Sequence, residues 1–212
     1  MKLKWLGHSC FQITSDNGIR VITDPFDESV GYPVPDAEAD IVTISHEHHD
    51  HSNSKCVHGK FVIFTQPGKY TENGIQITGV ATAHDEAGGK QRGKNVIFNI
   101  AVDGLNICHC GDLGHILTPQ QVEEIGHVDV LLIPVGGTYT ISHDQAASVA
   151  RQLKPSAILP MHYRTPETHY PIQDAGPFVK AMGGAKKIDG TEIELNKDSL
   201  DEYAGVILLN YC

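Results

Sequence analysis

Through the first half of the chain, apolar and polar residues alternate with a period near two, in short runs that Gly, Pro and Asn separate. KLKWLGHSCFQIT, IRVITDP, ADIVTIS, KFVIFT and IQITGVAT read as strands, with an Asp-Asn-Gly turn at 16–18 between the first two. NVIFNIAVDG and LNICHCGD predict a hairpin around Asp103 and Gly104. The unbroken apolar stretches VDVLLIPVGG and AILPMHY predict strands covered on both faces. Helical signals gather in the second half. Thr118 and Pro119 open TPQQVEEIG with a capping residue and a proline at the first helical position, and Ser142 caps HDQAASVARQLK before Pro155 stops it. DAGPFVKAMGG is a third helix, ending on a glycine pair. Strands first, then strand and helix in alternation, predict a sheet-rich α/β layered sandwich with helices on its outer faces. A chain of 212 residues without a Pro-, Gly- or Ser-rich linker suits one domain over 1–212.

Charge narrows the partners. With 26 acidic against 16 basic residues the formal charge is −10, which disfavours nucleic acid and anionic membranes because both need a positive surface. A phosphate-bearing small molecule stays open, since bound metal ions dominate the local field of a site. No apolar run reaches the length of a signal-peptide core or a membrane span, so the expected location is the cytoplasm. Cys10, Cys56, Cys108, Cys110 and Cys212 are odd in number and lack paired metal-site spacing, which predicts reduced thiols.

The chemistry concentrates in His46-Glu47-His48-His49-Asp50-His51, directly after the strand ADIVTIS. Loops at strand ends are where sites are built. In extended backbone His46 and His48 project to one side, and a following turn can bring Asp50 and His51 to a second position nearby. A solvated, incidental His-rich tract is the bland alternative. Against it, isolated ionisable residues recur at the ends of three further apolar strands: His84 after ITGVATA, Asp112 after ICHCG and His162 after AILPM.

This order, HxHxDH, then His, then Asp before a small turn, then a late His, resembles the metallo-β-lactamase superfamily. WLGHSCF, TDP at 23–25, HCGDLG at 109–114 and the IPVGG and LPMHY segments resemble its UlaG-like branch of bacterial and archaeal metal-dependent hydrolases. The resemblance implies a four-layer αββα sandwich. It also implies two divalent metal ions, zinc by preference with manganese or iron as alternatives: His46, His48 and His84 on the first, Asp50, His51 and His162 on the second, Asp112 bridging. Imidazole and carboxylate donors agree with that choice and restrict the metal only loosely. The implied reaction is attack by a metal-bound hydroxide on a small ester, lactone, amide or phosphodiester, with Asp50 as the catalytic residue that orients it and ferries a proton. The alternatives are a phosphodiesterase or phospholipase D-like hydrolase and, from another class, a non-hydrolytic di-iron redox or ligand-sensing protein.

Other positions divide less cleanly. Asp24, in the TDP, corresponds to the superfamily's structural anchor for the ligand loop. His8 stands either beside the metals or in a structural turn. His49, His109 and His169 are expected to be structural, while His143 stays open. Gly136, Gly137, Thr138 and Tyr139 form either a tight turn or a loop facing the centre with Thr138 or Tyr139 touching substrate. The apolar stretch at 205–209 is either an extra strand or a contact between copies of the chain, and thus a homo-oligomer.

Overall fold

The computed structural model describes residues 1–211, so the thiol of Cys212 lies outside the described residues. In chain order the elements are β1 (Lys2–Gly7), β2 (Cys10–Thr14), β3 (Arg20–Thr23), β4 (Ala37–Glu38), β5 (Ile41–Thr43), β6 (Val57–His58), β7 (Val62–Phe64), β8 (Gly68–Glu72), β9 (Ile75–Ala83), β10 (Lys94–Val102) and β11 (Leu105–His109). Then follow α1 (Pro119–Ile125), β12 (Val130–Pro134), α2 (His143–Leu153), β13 (Ala157–Met161), α3 (Gly176–Ala181), β14 (Lys186–Lys187), β15 (Glu192–Glu194) and β16 (Gly205–Leu208). Two large sheets result, one in the order β15-β1-β2-β3-β5-β7 and one in the order β14-β16-β13-β12-β11-β10-β9-β8, with β4 and β6 forming a small pair.

Period-two alternation sorts the side chains of the six-stranded sheet between two apolar clusters. Val21 and Ile41 join the main core, where Leu3, Trp5 and Phe11 meet the eight-stranded sheet through residues such as Phe98 and Leu159. Their neighbours Ile22 and Val42 point the other way, into a smaller cluster with Phe26, Val30 and Tyr32. That outer layer is thin, built from the β4–β6 pair and one-turn 3-10 helices at Glu28–Val30 and Ser54–Cys56. Outside the eight-stranded sheet, α1 packs on β9 and β10, α2 on β12, and α3 on α2. Both α1 and α2 begin with a full capping box, Thr118 with Gln121 and Ser142 with Gln145, which satisfies helix-end N–H groups that would otherwise lack partners.

The topology explains why chemistry gathers at one edge. In the first sheet β1 and β3 both run antiparallel to β2, and β5 runs parallel to β3, so these strands end on the same side with His8, Asp24 and His46 just beyond them. In the second sheet β9 and β11 run antiparallel to β10, and β12 and β13 run parallel to β11, which puts His84, Asp112 and His162 past strand ends on one side. The stretch at 205–209 is a strand through Leu208, inserted between β13 and β14. The polar strands β8, β14 and β15 lie outside the sequence reading. Among the described residues Cys56, Cys108 and Cys110 form no disulfide.

Candidate metal centre

The anchor is Asp24, fully buried just past β3. One carboxylate oxygen accepts the backbone N–H of Ser45 at 2.7 Å, and the other accepts the Ser45 hydroxyl at 2.6 Å and faces His51 Nδ1 at 2.8 Å. A carboxylate there makes His51 the Nδ1–H tautomer and leaves its Nε2 lone pair facing inward. Ser45 has given its only proton to Asp24, so it accepts from His46 Nδ1 at 2.9 Å, and His46 too presents Nε2. Two imidazoles are thus oriented by one buried acid.

The backbone at 46–51 is bent rather than extended, with the His51 N–H donating to the His48 carbonyl at 2.9 Å. His46 and His48 nevertheless converge, because one uses Nε2 and the other Nδ1, 3.0 Å apart. The structure brings all seven sequence-predicted residues together in two sets. Donor atoms of His46, His48 and His84 lie within 4.8 Å of one another, as do those of His8, Asp50, His51 and His162. Asp112 stands between them: one oxygen is 3.2 Å from His84 Nε2 and 3.3 Å from His162 Nε2, and the other is 3.2 Å from His51 Nε2. Asp50 is 3.4 Å from His8 Nε2 and 3.7 Å from His51 Nε2. His8, which the sequence left open, therefore stands at donor range in the second set.

The donor set fits metal ions. His51 Nε2 and the facing Asp112 oxygen are buried without a hydrogen-bond partner, a costly arrangement unless a cation sits between them. Burial, with the neighbouring His51, pushes His46 down to about 3, so its ring offers a lone pair rather than a charge. Burial alone would raise Asp112, yet His162 and His51 hold its carboxyl well below the usual range. His51 itself is pushed well above the ordinary imidazole range: burial opposes this, but Asp112, Asp50 and Asp24 draw positive charge to its ring. A divalent cation answers the same field.

Close backbone contact sets the spacing between the ligand loops. The Gly114 N–H donates to the Ala83 carbonyl at 2.9 Å, and a Cβ on Gly114 would fall 2.2 Å from the His84 carbonyl carbon. Only glycine lets the Asp112 loop lie so close to His84. Asn95, buried near the start of β10, accepts the Asp112 N–H at 2.9 Å and donates to the Cys110 carbonyl at 2.9 Å. His8 is held through its carbonyl, which accepts from Trp5 Nε1 at 3.0 Å and from the His162 N–H at 3.2 Å.

The remaining histidines fall outside the two donor sets. His109 donates from Nε2 to the Ser9 carbonyl at 2.8 Å and accepts the Gly111 N–H on Nδ1 at 3.2 Å, a structural role with both nitrogens used. His169 ties its backbone N–H to the Val30 carbonyl at 3.0 Å. His143 opens α2 and lies 3.6 Å from the Asp144 carboxylate. His49 is exposed, 3.2 Å from the Tyr170 hydroxyl. Tyr139 stacks edgewise towards Tyr170 at 6.1 Å, and Thr138 Oγ1 donates to the Pro171 carbonyl at 3.2 Å. Sequence reasoning missed Ser45, Asn95 and Tyr170. Only Ser45 carried a signal, as the hydroxyl next to the first ligand.

With this geometry in view, the family comparison is direct. The beta-lactamase superfamily domain matches residues 2–162. The chain belongs to the metallo-β-lactamase superfamily. A UPF0173 metal-dependent hydrolase of Methanoculleus marisnigri is 31% identical over 188 residues, covering 78% of this chain and 82% of that one. Its counterpart in Thermococcus onnurineus is 29% identical over 220 residues, covering 89% and 95%. A crystal structure from Thermotoga maritima, assigned to the zinc-dependent hydrolases of the superfamily, superposes with a TM-score of 0.83 at 39% identity, covering 100% of this chain and 99% of that one. The protein is a metal-dependent hydrolase of this superfamily, and no helix among its described residues is long and apolar enough to cross a membrane.

Proposed function

We propose that the protein is a binuclear hydrolase in which His46, His48 and His84 hold one divalent ion, Asp50, His51 and His162 the other, and Asp112 contacts both. The observation that carries this is the Asp112 carboxylate, 2% exposed, standing between two donor sets. Imidazole and carboxylate donors favour zinc, with manganese and iron compatible. A bound pair of divalent ions acidifies water and polarises the bond to be cut.

What the chain itself contributes follows from its contacts. Asp24 fixes the tautomers of His51 directly and of His46 through Ser45, so both ligands are oriented before any ion arrives. Asp50 lies 3.4 Å from His8 Nε2, a ring nitrogen that can donate towards it and so aim the carboxylate into the site. Held ionised by His51 and His8 against the upward push of burial, Asp50 is the group that accepts a proton from the attacking water and passes it to the leaving group. The substrate is a small molecule with an ester, lactone, amide or phosphodiester bond, and the chain works as one cytoplasmic domain.

Elemental analysis after metal-replete purification tests the centre, with close to two ions per chain expected. Parallel assays with p-nitrophenyl acetate and bis(p-nitrophenyl) phosphate separate ester from phosphodiester chemistry. One ion or none per chain overturns the binuclear reading.

A further inference from the structure

We propose that Arg92 is a specificity-determining residue that takes an anionic group of the substrate, a carboxylate or phosphate set apart from the bond that is cut. The proposal rests on the hydrolase reading above and names its substrate class.

Beyond His84 the chain makes a loop, 85–93, wrapped around the carboxylate of Asp85. One Asp85 oxygen accepts the N–H groups of Ala87 at 2.8 Å and Gly89 at 3.0 Å, and the other accepts those of Gln91 at 2.9 Å and Arg92 at 2.7 Å. Four backbone bonds to one buried acid fix the path of the loop and use up that acid. Its neighbour Glu86 accepts from Gln145 Nε2. Neither carboxylate forms an ion pair with the Arg92 guanidinium among the described residues, although both, with Glu47, line the same cleft.

The guanidinium of Arg92 is positioned but unneutralised. Its Nη2 donates to the Thr138 carbonyl at 3.1 Å, and its carbon lies 5.8 Å from the centroid of the Tyr139 ring. No carboxylate among the described residues pairs with it, whereas Arg20 meets Glu38 and Asp40, and Arg164 meets Asp174. An arginine without an acidic partner, in a chain of charge −10, keeps most of its planar fork of donors for a ligand. Thr138 holds a left-handed backbone at φ 60, a strained conformation for a β-branched residue, and its carbonyl is the one that seats Arg92.

Arg92 lines the same cleft, of about 1120 Å³, as two of the candidate ligands, His46 and His48, together with Lys94 and the apolar Ala81 and Val96. Such a cleft holds a small molecule with its scissile bond at the histidines and its anion at the guanidinium.

The rival role for Arg92 is mechanical, a clamp between loop 85–93 and the loop of Thr138. Equilibrium binding to the metal-replete protein separates the two. The probes are butyrate, glutarate and 4-phosphonobutyrate, which share one carboxylate and differ in the second group. The parent is expected to bind one or both dianions about tenfold to a hundredfold more tightly than butyrate, and the tighter of the two names the distal group. Arg92→Gln keeps an N–H for Thr138 but no charge; it is expected to lose that preference with butyrate binding, metal content and melting temperature unchanged. Arg92→Lys should keep part of it. A parent without the preference, or one whose preference survives in Arg92→Gln, overturns the proposal, as does an equal loss on all three probes. Turnover of p-nitrophenyl acetate and of bis(p-nitrophenyl) phosphate, measured alongside, reports on the hydrolase reading separately: the absence of both with the dianion preference intact sinks that reading and leaves the anion site standing.

Discussion

Asp24→Asn removes one charge and exchanges one oxygen for an NH2 group, at a position where three donors converge. Those donors are the Ser45 N–H at 2.7 Å, the Ser45 hydroxyl at 2.6 Å and His51 Nδ1 at 2.8 Å. An amide has one acceptor oxygen, so its NH2 must face a donor whichever way it turns. Kept towards His51, the oxygen preserves that tautomer, and the NH2 meets the Ser45 N–H. One charge-assisted bond is then lost, at about 1.5–3 kcal/mol, and a buried amide is left unpaired, at about 1–3 kcal/mol. We therefore expect urea unfolding of the metal-free variant to show a loss of roughly 3–5 kcal/mol. Competition with a chelator should show metal affinity reduced about tenfold to a hundredfold, the usual effect of removing a partner that orients a ligating imidazole. Ser45→Ala, which cuts only the link to His46, is the partial control. A variant within about 1 kcal/mol of the parent, with its metal affinity intact, would show that Asp24 does not organise the ligands.

Asp50→Asn should lower turnover of the best nitrophenyl substrate by about 10²–10⁴, the range of a lost general base, while the fold persists in circular dichroism and elemental analysis still finds the ion at His46, His48 and His84. Near-normal turnover would remove Asp50 from the mechanism. Gly114→Ala puts a Cβ 2.2 Å from the His84 carbonyl carbon; it should destabilise by about 1–3 kcal/mol in thermal melts and lower metal occupancy, because the Asp112 loop must back away from His84. An unchanged metal content would mean that the two loops can separate freely. Burial raises Tyr32 from 10.0 to about 12. The neutral phenol is therefore favoured by folding, and its contribution is complete below pH 10 and falls away as pH rises through 12. At pH 11 the parent should have lost roughly 1.4 kcal/mol relative to pH 9 that Tyr32→Phe does not lose; parallel urea profiles for the two proteins would contradict this.

Legibility followed the chemistry of the signals. The convergence of the seven candidate ligands was readable because each follows an apolar run, and parallel strands within each sheet bring run-ends to one edge. Asp24 was readable through resemblance alone, since a single buried Asp carries no local pattern. His8 was ambiguous because its placement depends on the left-handed turn between β1 and β2 and on the hydrogen bond from His162, neither of which spacing encodes. Arg92 was invisible. Its position follows from the cage of N–H groups around Asp85, and DEAGGKQRG advertises only a turn. The strands β8, β14 and β15 are short and polar, so they lack the apolar alternation that marks a half-buried strand, although Asn73 and Gly74 before β9 are a standard hairpin signal and do take left-handed backbone at φ 50 and 81.

The distribution of backbone strain carries the same division between scaffold and site. Among the described residues seven that are not glycine have positive φ: His8, Asp24, Asn73, Asp103, Thr138, Lys154 and His162. Asn73 and Asp103 sit in hairpin turns, where Asn and Asp tolerate that conformation, and Lys154 is the C-cap of α2. The other four lie at the site edge, and three of them follow directly on β1, β3 and β13. A strand delivers its last side chains above or below its own sheet, whereas a donor cluster between two sheets needs side chains turned across the gap. Reversing the chain within one residue does this, at about 1–3 kcal/mol for each strained position. The two apolar clusters beneath supply the stability that offsets it, and the His162 N–H bonded to the His8 carbonyl links two strained residues, one from each sheet. The centre is therefore held by packing that exists before any ion binds, which is why the ligand geometry is expected to outlast removal of the metals.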